Sequence, residues 1–179
     1  MIGNDIVDLE LANKQSNWKR KGWLKKIFTQ SEQKNILNSP KPSSIVWQYW
    51  SRKEAVYKAH QRRFSLAPRY NPKDFECLED QSVVIDGYKY HTDTQSSEKY
   101  IYSIASSKQH GFSSDVCFGN SARSKLKEFI ANSLCVELPL ISIEKDIHQI
   151  PIIKINNKAE KINFSLSNHG HFSAFIIDL

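Results

Sequence analysis

Apolar residues recur along this chain at two spacings, and the change between them marks its elements. Ile2 to Leu9 is rich in β-branched residues and reads as a strand, although it carries Asp5 and Asp8. Thr29-Gln-Ser-Glu32 fits a capping box ahead of Ile36 and Leu37. A helix is therefore expected from Thr29, stopped by Pro40 and Pro42. Ser43 or Ser44 then caps a second helix reaching about Arg62. The chain turns between Pro68 and Pro72, and short strands follow at Val83–Ile85, Tyr88–His91 and Tyr100–Ala105. Residues 106–120, rich in Ser, Gly and Asn, read as a linker. Ser121 caps a third helix with Leu126, Phe129, Ile130 and Leu134 along one face. Ile162, Phe164 and Leu166 then alternate with polar residues, Asn168-His-Gly-His171 turns, and Phe172 to Ile177 returns as a hairpin. Strands and helices are mixed without regular βα alternation, so the expected class is α+β.

Composition narrows this picture. The 179 residues are 40% hydrophobic and 25% charged, which excludes a disordered or low-complexity chain. Acids at the start, and no apolar run long enough to span a bilayer, lead to the expectation of a soluble, cytoplasmic protein. Cys77, Cys117 and Cys135 are widely spaced and form no CxxC pair, so reduced thiols are expected and a zinc site is not. The formal net charge of +6 favours an anionic partner: nucleic acid, an acidic protein or a phosphorylated small molecule. Basic residues cluster at Lys19–Lys26 and Arg62–Arg69.

Candidate chemistry begins on the second helix. At 100° per residue, Trp47, Trp50, Ser51, Glu54 and Lys58 share one face, and Glu54 and Lys58 are i,i+4 neighbours. An ordinary helix ion pair is worth a few tenths of a kcal/mol. The flanking tryptophans argue instead for partial burial, where an ion pair costs desolvation and often marks a site. Asp5 on the first strand supplies a second acid. A strand carboxylate with a helix carboxylate suits Mg²⁺, whose other positions go to water and substrate phosphate.

These residues carry a resemblance. Gly3-Asn-Asp5-Ile6 followed by Trp50-Ser-Arg-Lys-Glu-Ala-Val-Tyr-Lys58 resembles the paired signature of the 4′-phosphopantetheinyl transferases. That signature runs Gly-x-Asp-hydrophobic, then Trp/Phe-x-x-Lys-Glu-Ala/Ser-x-x-Lys. Phe28-Thr-Gln-Ser-Glu32 is similar to a stretch of the holo-acyl-carrier-protein synthase branch, and Leu66 to Phe75 resembles the loop and strand that follow there. The later part resembles the first half of the two-lobed, surfactin-synthetase-activating branch. Its carriers are Arg123 to Leu134, Pro151 and Phe164-Ser-Leu-Ser-Asn-His-Gly170. The lobes thus stand in permuted order. Two departures stand out: Gln149-Ile150-Pro151 lacks the lysine of Gly-Lys-Pro, and Asn168 occupies the family histidine's place with His169 one position later.

The resemblance implies two similar small lobes, residues 1–108 and 109–179, each a short antiparallel sheet with a long helix. It implies Mg²⁺-dependent (or Mn²⁺-dependent) transfer of 4′-phosphopantetheine from coenzyme A to a serine of an acyl or peptidyl carrier protein. Asp5 and Glu54 would hold the metal, with Glu54 also accepting the serine proton and Lys58 stabilising the departing 3′,5′-ADP. Lys53, Arg62, Arg63, Arg123, Ser167 and His169 are the expected coenzyme A contacts, and Asp8 a support rather than a ligand. Lys19, Arg20, Lys21, Lys25 and Lys26 would steer an acidic carrier. A monomer is expected, because two lobes complete one cleft, and neither nucleic acid nor membrane is an expected partner. Two rivals are a degenerate homologue that binds carriers without modifying them, and a basic nucleic-acid-binding protein using Trp18, Trp23, Trp47 and Trp50 for stacking.

Overall fold

The computed structural model describes residues 1–107 and 111–179. The chain begins with strand β1 (Ile2–Asp8) and four helices: α1 (Leu9–Gln15), α2 (Trp23–Ile27), α3 (Gln30–Asn38) and α4 (Pro42–Phe64). Strands β2 (Glu76–Cys77), β3 (Ser82–Ile85), β4 (Tyr88–Ser96) and β5 (Tyr100–Ser106) then build an antiparallel sheet in the order β1-β5-β4-β3-β2. Next come β6 (Ser113–Phe118), α5 (Ala122–Leu134), β7 (Ile141–Lys145), β8 (Pro151–Ile155), β9 (Lys158–Glu160), β10 (Asn163–His169) and β11 (Phe172–Asp178). These strands form two three-stranded sheets, β10-β11-β6 and β7-β8-β9. The fold is α+β. Among the described residues no helix is long and apolar enough to cross a membrane.

The central relationship is α4 lying flat on β1. A Cβ on Gly3 would sit 2.7 Å from the Ala59 nitrogen and nearer still to the Ala55 carbonyl, so only hydrogen at this position lets the helix backbone approach. Ala55 and Ala59 are fully buried at the contact. The notch brings the turn bearing Glu54 and Lys58 against the strand bearing Asp5.

Strand β1 also meets β10, which belongs to another sheet. The two run alongside in the same direction, and side chains stand in where ladder bonds would be. The Asn4 N–H donates to Ser165 Oγ at 3.3 Å, and the Asp8 N–H donates to His169 Nδ1 at 2.9 Å. Two outward amides of β1, those of Asn4 and Asp8, are thereby satisfied. Ile2, Ile6, Tyr102, Ile104, Ala174 and Ile176 seal this seam. Beyond it, Leu126 and Ile130 of α5 pack with Ile141, Ile143, Ile153 and Phe164 in a separate core.

Several local expectations need correction. Neither Ser43 nor Ser44 caps α4: Lys41 is the N-cap and Pro42 takes the first helical position, where its missing N–H costs nothing. Residues 113–118, inside the expected linker, form strand β6 paired with β11. Ser121 stands at the N-cap of α5, but its hydroxyl donates backwards to the Phe118 carbonyl, and Ser173 Oγ accepts the Ala122 N–H instead. Helices α1 and α2 and the β7–β9 sheet are unanticipated. The expected lobe boundary at 108/109 lies outside the described residues.

Candidate active site

Asp5 is nearly buried, in the middle of β1, and Ser51 of α4 donates to its backbone carbonyl at 3.2 Å. Lys58 reaches across from α4, its Nζ lying 3.0 Å from Asp5 Oδ1 and 2.9 Å from the Asn4 carbonyl. Glu54, one turn back, is half-buried and makes no hydrogen bond or ion pair among the described residues. Lys58 thus pairs between helix and strand with Asp5, and not along the helix with Glu54.

Burial pushes the Asp5 carboxyl above its ordinary range, and the Lys58 ammonium offsets this only in part. Burial and the neighbouring Asp5 charge together push Glu54 up to about 7. Two carboxyls share one ammonium, and the upward shift of each reflects the cost of ionising both there. That is the electrostatic signature of a site that receives a cation or a proton.

Asp5, Glu54 and His169 line one cavity of about 300 Å³, walled on its apolar side by Trp23, Trp47 and Trp50. The Asp8 N–H fixes His169 from behind by donating to Nδ1, so the neutral ring carries its proton on Nε2. Asp8 is buried and caps α1. Burial works to raise its carboxyl, but the N–H groups of His171 and Leu11, at 2.9 and 3.1 Å, hold it below the usual range. Gly170 makes this possible, because a Cβ there would lie 2.8 Å from Asp8 Cγ and its φ is +56°.

A second cavity, about 730 Å³, opens on the other side of Asn168, which lines both. Its walls include Lys58, Arg62, Arg123, Lys145 and Ser167. Arg62 lies over the Phe164 ring at 5.0 Å and donates to the Pro151 carbonyl at 3.0 Å; burial lowers its pKa to about 10, which leaves it charged at neutral pH. Arg123 donates to the Ile143 carbonyl. Ser167 is 7% exposed, and among the described residues its hydroxyl has no hydrogen-bond partner.

Two of the expected coenzyme A contacts lie away from both cavities. Lys53 is completely buried, 2.6 Å from Glu32 Oε2, and donates also to the carbonyls of Ile27 and Pro72. All three of its ammonium hydrogens are engaged, and it lines neither cavity. Arg63 is exposed and lies over the Phe64 and Tyr88 rings at 5.2 and 4.6 Å, away from both cavities. Asp5, Glu54, Lys58, Arg62, Arg123, Ser167 and His169 do converge on the two adjoining spaces. Lys145 was not foreseen, although Ile141 and Ile143 alternate just before it and mark its strand.

Among the described residues no group of three or more His, Cys, Asp and Glu could hold a metal. The donor set present is two neighbouring carboxylates, Asp5 and Glu54. It suits a hard cation that draws its remaining oxygens from water and a substrate phosphate.

Residues 1–114 match the model of the family described as the 4′-phosphopantetheinyl transferase superfamily. Among solved structures, the chain is similar to the holo-[acyl-carrier-protein] synthase of Thermotoga maritima at 15% identity and a TM-score of 0.43, over 86% of this chain and 81% of that one. No curated protein matches the sequence.

Proposed function

Because the chain belongs to the 4′-phosphopantetheinyl transferase superfamily, we propose that it transfers 4′-phosphopantetheine from coenzyme A to a serine hydroxyl of an acyl or peptidyl carrier protein, releasing 3′,5′-ADP. The observation that carries this reading is the convergence of Asp5, Glu54, Lys58 and His169 where the two cavities meet. The larger, cationic cleft takes the nucleotide end of coenzyme A. The reacting pyrophosphate lies beside Lys58, next to the two carboxylates.

Asp5 and Glu54 would hold Mg²⁺ or Mn²⁺, which when bound neutralises charge on the pyrophosphate oxygens. Glu54, poised near neutrality and half-exposed to the cavity, accepts the serine proton directly or through water. As the serine oxygen bonds to the pantetheine-bearing phosphorus, the bond from that phosphorus to the bridging oxygen breaks. Lys58 stabilises the charge gathering on the leaving 3′,5′-ADP. His169, locked with its proton on Nε2, presents a donor to the same cavity, so the one-residue displacement from the family position is absorbed by the hairpin.

Both walls of the cleft come from one chain, which supports a monomer built as two lobes. Helix α2, whose Trp23 lines the smaller cavity, also carries exposed Lys25 and Lys26, cations suited to meeting an acidic carrier. Of the four tryptophans that a nucleic-acid reading would use for stacking, Trp18 and Trp47 are buried, Trp23 packs against Trp47, and Trp50 lines the smaller cavity. Incubating the protein with coenzyme A, Mg²⁺ and an apo-carrier, then weighing the carrier, tests the proposal. A mass increase of one phosphopantetheine, abolished by EDTA and by Asp5→Ala, is expected. Carrier binding without a mass change would establish the degenerate reading instead.

A further inference from the structure

Three tyrosine hydroxyls inside the protein are satisfied. Tyr49 Oη accepts from Asn35 Nδ2 at 3.5 Å, Tyr102 donates to the Phe175 carbonyl at 3.2 Å, and Tyr90 Oη lies 3.1 Å from His60 Nδ1. The hydroxyl of Tyr70 is buried too, but among the described residues it has no hydrogen-bond partner. Tyr70 lies on the segment joining α4 to β2 and lines neither cavity. A phenylalanine would fill the same ring site without burying an unpaired hydroxyl, so this group calls for a partner.

Helix α4 sets where the ring lies. Tyr70 meets Trp50 edge-on at 6.0 Å and Tyr57 at 4.9 Å, and packs also on Phe75 at 5.5 Å. Trp50, Glu54 and Tyr57 stand at i, i+4 and i+7, so they form one ridge of the helix with Glu54 in the middle. A ring that touches both ends of this ridge lies against the Glu54 position. The charges agree. After burial itself, the Glu54 carboxylate does most to hold the Tyr70 phenol above its ordinary range, with Asp5 next and Glu32 weaker. Two of these three carboxylates are already committed. Asp5 is paired with Lys58, and Glu32 accepts from Lys53 and from the N–H groups of Thr29 and Cys77. Glu54 has neither a hydrogen bond nor an ion pair among the described residues. A buried donor without an acceptor thus stands beside a carboxylate without a donor.

We propose that the Tyr70 hydroxyl donates to the Glu54 carboxylate, directly or through one water, and holds it in place for the reaction. Its role rests on the transferase reading above, in which Glu54 accepts the serine proton and shares the metal with Asp5. Tyr70 is a positioning residue, because it acts through Glu54 and lies outside both cavities. With one carboxylate oxygen tied, the other is fixed toward the smaller cavity that Glu54 lines.

A double-mutant cycle tests the link without any substrate. Denaturant unfolding is measured on the wild type, Tyr70→Phe, Glu54→Met and the double variant. Tyr70→Phe keeps the ring and removes only the hydroxyl. In the wild-type background it is expected to lower the folding equilibrium constant about tenfold, the worth of a hydrogen bond to a charged group. In the Glu54→Met background it should leave that constant unchanged or raise it, because the hydroxyl is then unpaired. Kinetics with an apo-carrier supply the second readout. Tyr70→Phe should lower kcat about tenfold with KM for coenzyme A unchanged, whereas Tyr49→Phe, which removes a hydroxyl remote from Glu54, should leave kcat at the wild-type value. A Tyr70→Phe protein as stable as the wild type, or destabilised equally in both backgrounds, overturns the proposal and leaves the transferase reading intact. Coupling in the cycle with no transfer by the wild type keeps the hydrogen bond and overturns the transferase reading on which its role rests.

Discussion

The Lys58 ammonium reaches from α4 to Asp5 Oδ1 on β1, 3.0 Å away, and leaves Glu54 on its own helix without a hydrogen bond or ion pair among the described residues. Two acids that look alike in sequence are thus placed in different electrostatic states. Asp5 has a cation on it, and Glu54 is pushed up to about 7 by burial and by Asp5. A lysine so placed can serve both the resting site, by limiting its negative charge, and the leaving group, by meeting a phosphate oxygen.

Lys58→Ala is accordingly expected to cost about a hundredfold or more in kcat, with little change in KM for coenzyme A. Lys58→Arg should recover part of the loss. Steady-state kinetics with an apo-carrier would measure this. A rise in KM with kcat preserved would make Lys58 a simple binding group.

Gly3→Ala should be among the most damaging single-methyl changes in the protein. The added Cβ meets helix backbone, the Ala55 carbonyl and Ala59 nitrogen, which cannot turn aside as a side chain would. Overpacking of this kind costs about 1–3 kcal/mol or more. Moving α4 away to relieve it would separate Glu54 and Lys58 from Asp5. Lower thermal stability and lost transfer should appear together. Wild-type activity in a stable Gly3→Ala protein would show that α4 need not lie flush on β1.

What the sequence disclosed, and what it hid, follows the range of the interactions. The Thr29 capping box is closed within four residues, and it forms as read. Glu54 and Lys58 share a face because helix geometry demands it. Lys53, by contrast, seemed to point at solvent or phosphate because its partner, Glu32, lies 21 residues away on α3. Strand β6 was missed because Ser113, Ser114 and Asp115 are exposed and gave no apolar alternation. The β7–β9 sheet did leave a signal: isoleucines at period two in Ile141–Ile143 and Ile153–Ile155, then Asn156-Asn157, both at positive φ, in a two-residue turn. His169 was ambiguous for a physical reason, since a turn histidine declares its role only when the strand beside it, here β1, is known.

The buried Lys53–Glu32 pair gives a prediction that separates structure from binding. Glu32 also accepts the N–H groups of Thr29 and Cys77, so Lys53 neutralises a carboxylate that ties α3 to α4 and β2. Lys53→Met leaves that charge buried and unpaired, at a cost of about 3–5 kcal/mol. In the Lys53→Met/Glu32→Gln double variant the loss should be smaller than the sum of the two single losses. Denaturant unfolding measures both. KM for coenzyme A in the folded Lys53→Met protein should equal that of the wild type, whereas a phosphate-binding lysine would raise it.

Asp8 makes stability depend on pH in a defined direction. Its carboxyl is held below 3.8 in the folded protein by backbone N–H groups, so the folded state binds its proton less readily than the unfolded chain. The stabilisation is complete above about pH 4 and is lost as pH falls through the lower folded value. Asp8→Ala should remove a helix cap and the tie to the His171 amide, for about 1–2 kcal/mol at neutral pH. The gap between wild type and variant should narrow as the solution is acidified. A gap that stays constant from pH 7 to 2 would mean the carboxylate charge contributes nothing.

Carrier docking is tested through charge. Lys25 and Lys26 are exposed on α2, and Trp23 of the same helix walls the cavity that holds Asp5 and Glu54. Charges at such a rim act on encounter, through the long-range field, more than on chemistry. Reversing both to Glu should therefore raise KM for an acidic carrier severalfold and leave kcat nearly unchanged. Wild-type carrier KM should rise with salt, since exposed charges are screened over about 8–10 Å at physiological ionic strength. KM for coenzyme A should respond less, because its phosphates would sit in a cleft where Lys58, Arg62 and Arg123 are held by fixed partners. If the reversal leaves carrier KM unchanged at low salt, α2 is only a solvated surface. The docking rim would then be sought on the exposed Lys19, Arg20 and Lys21 that precede it.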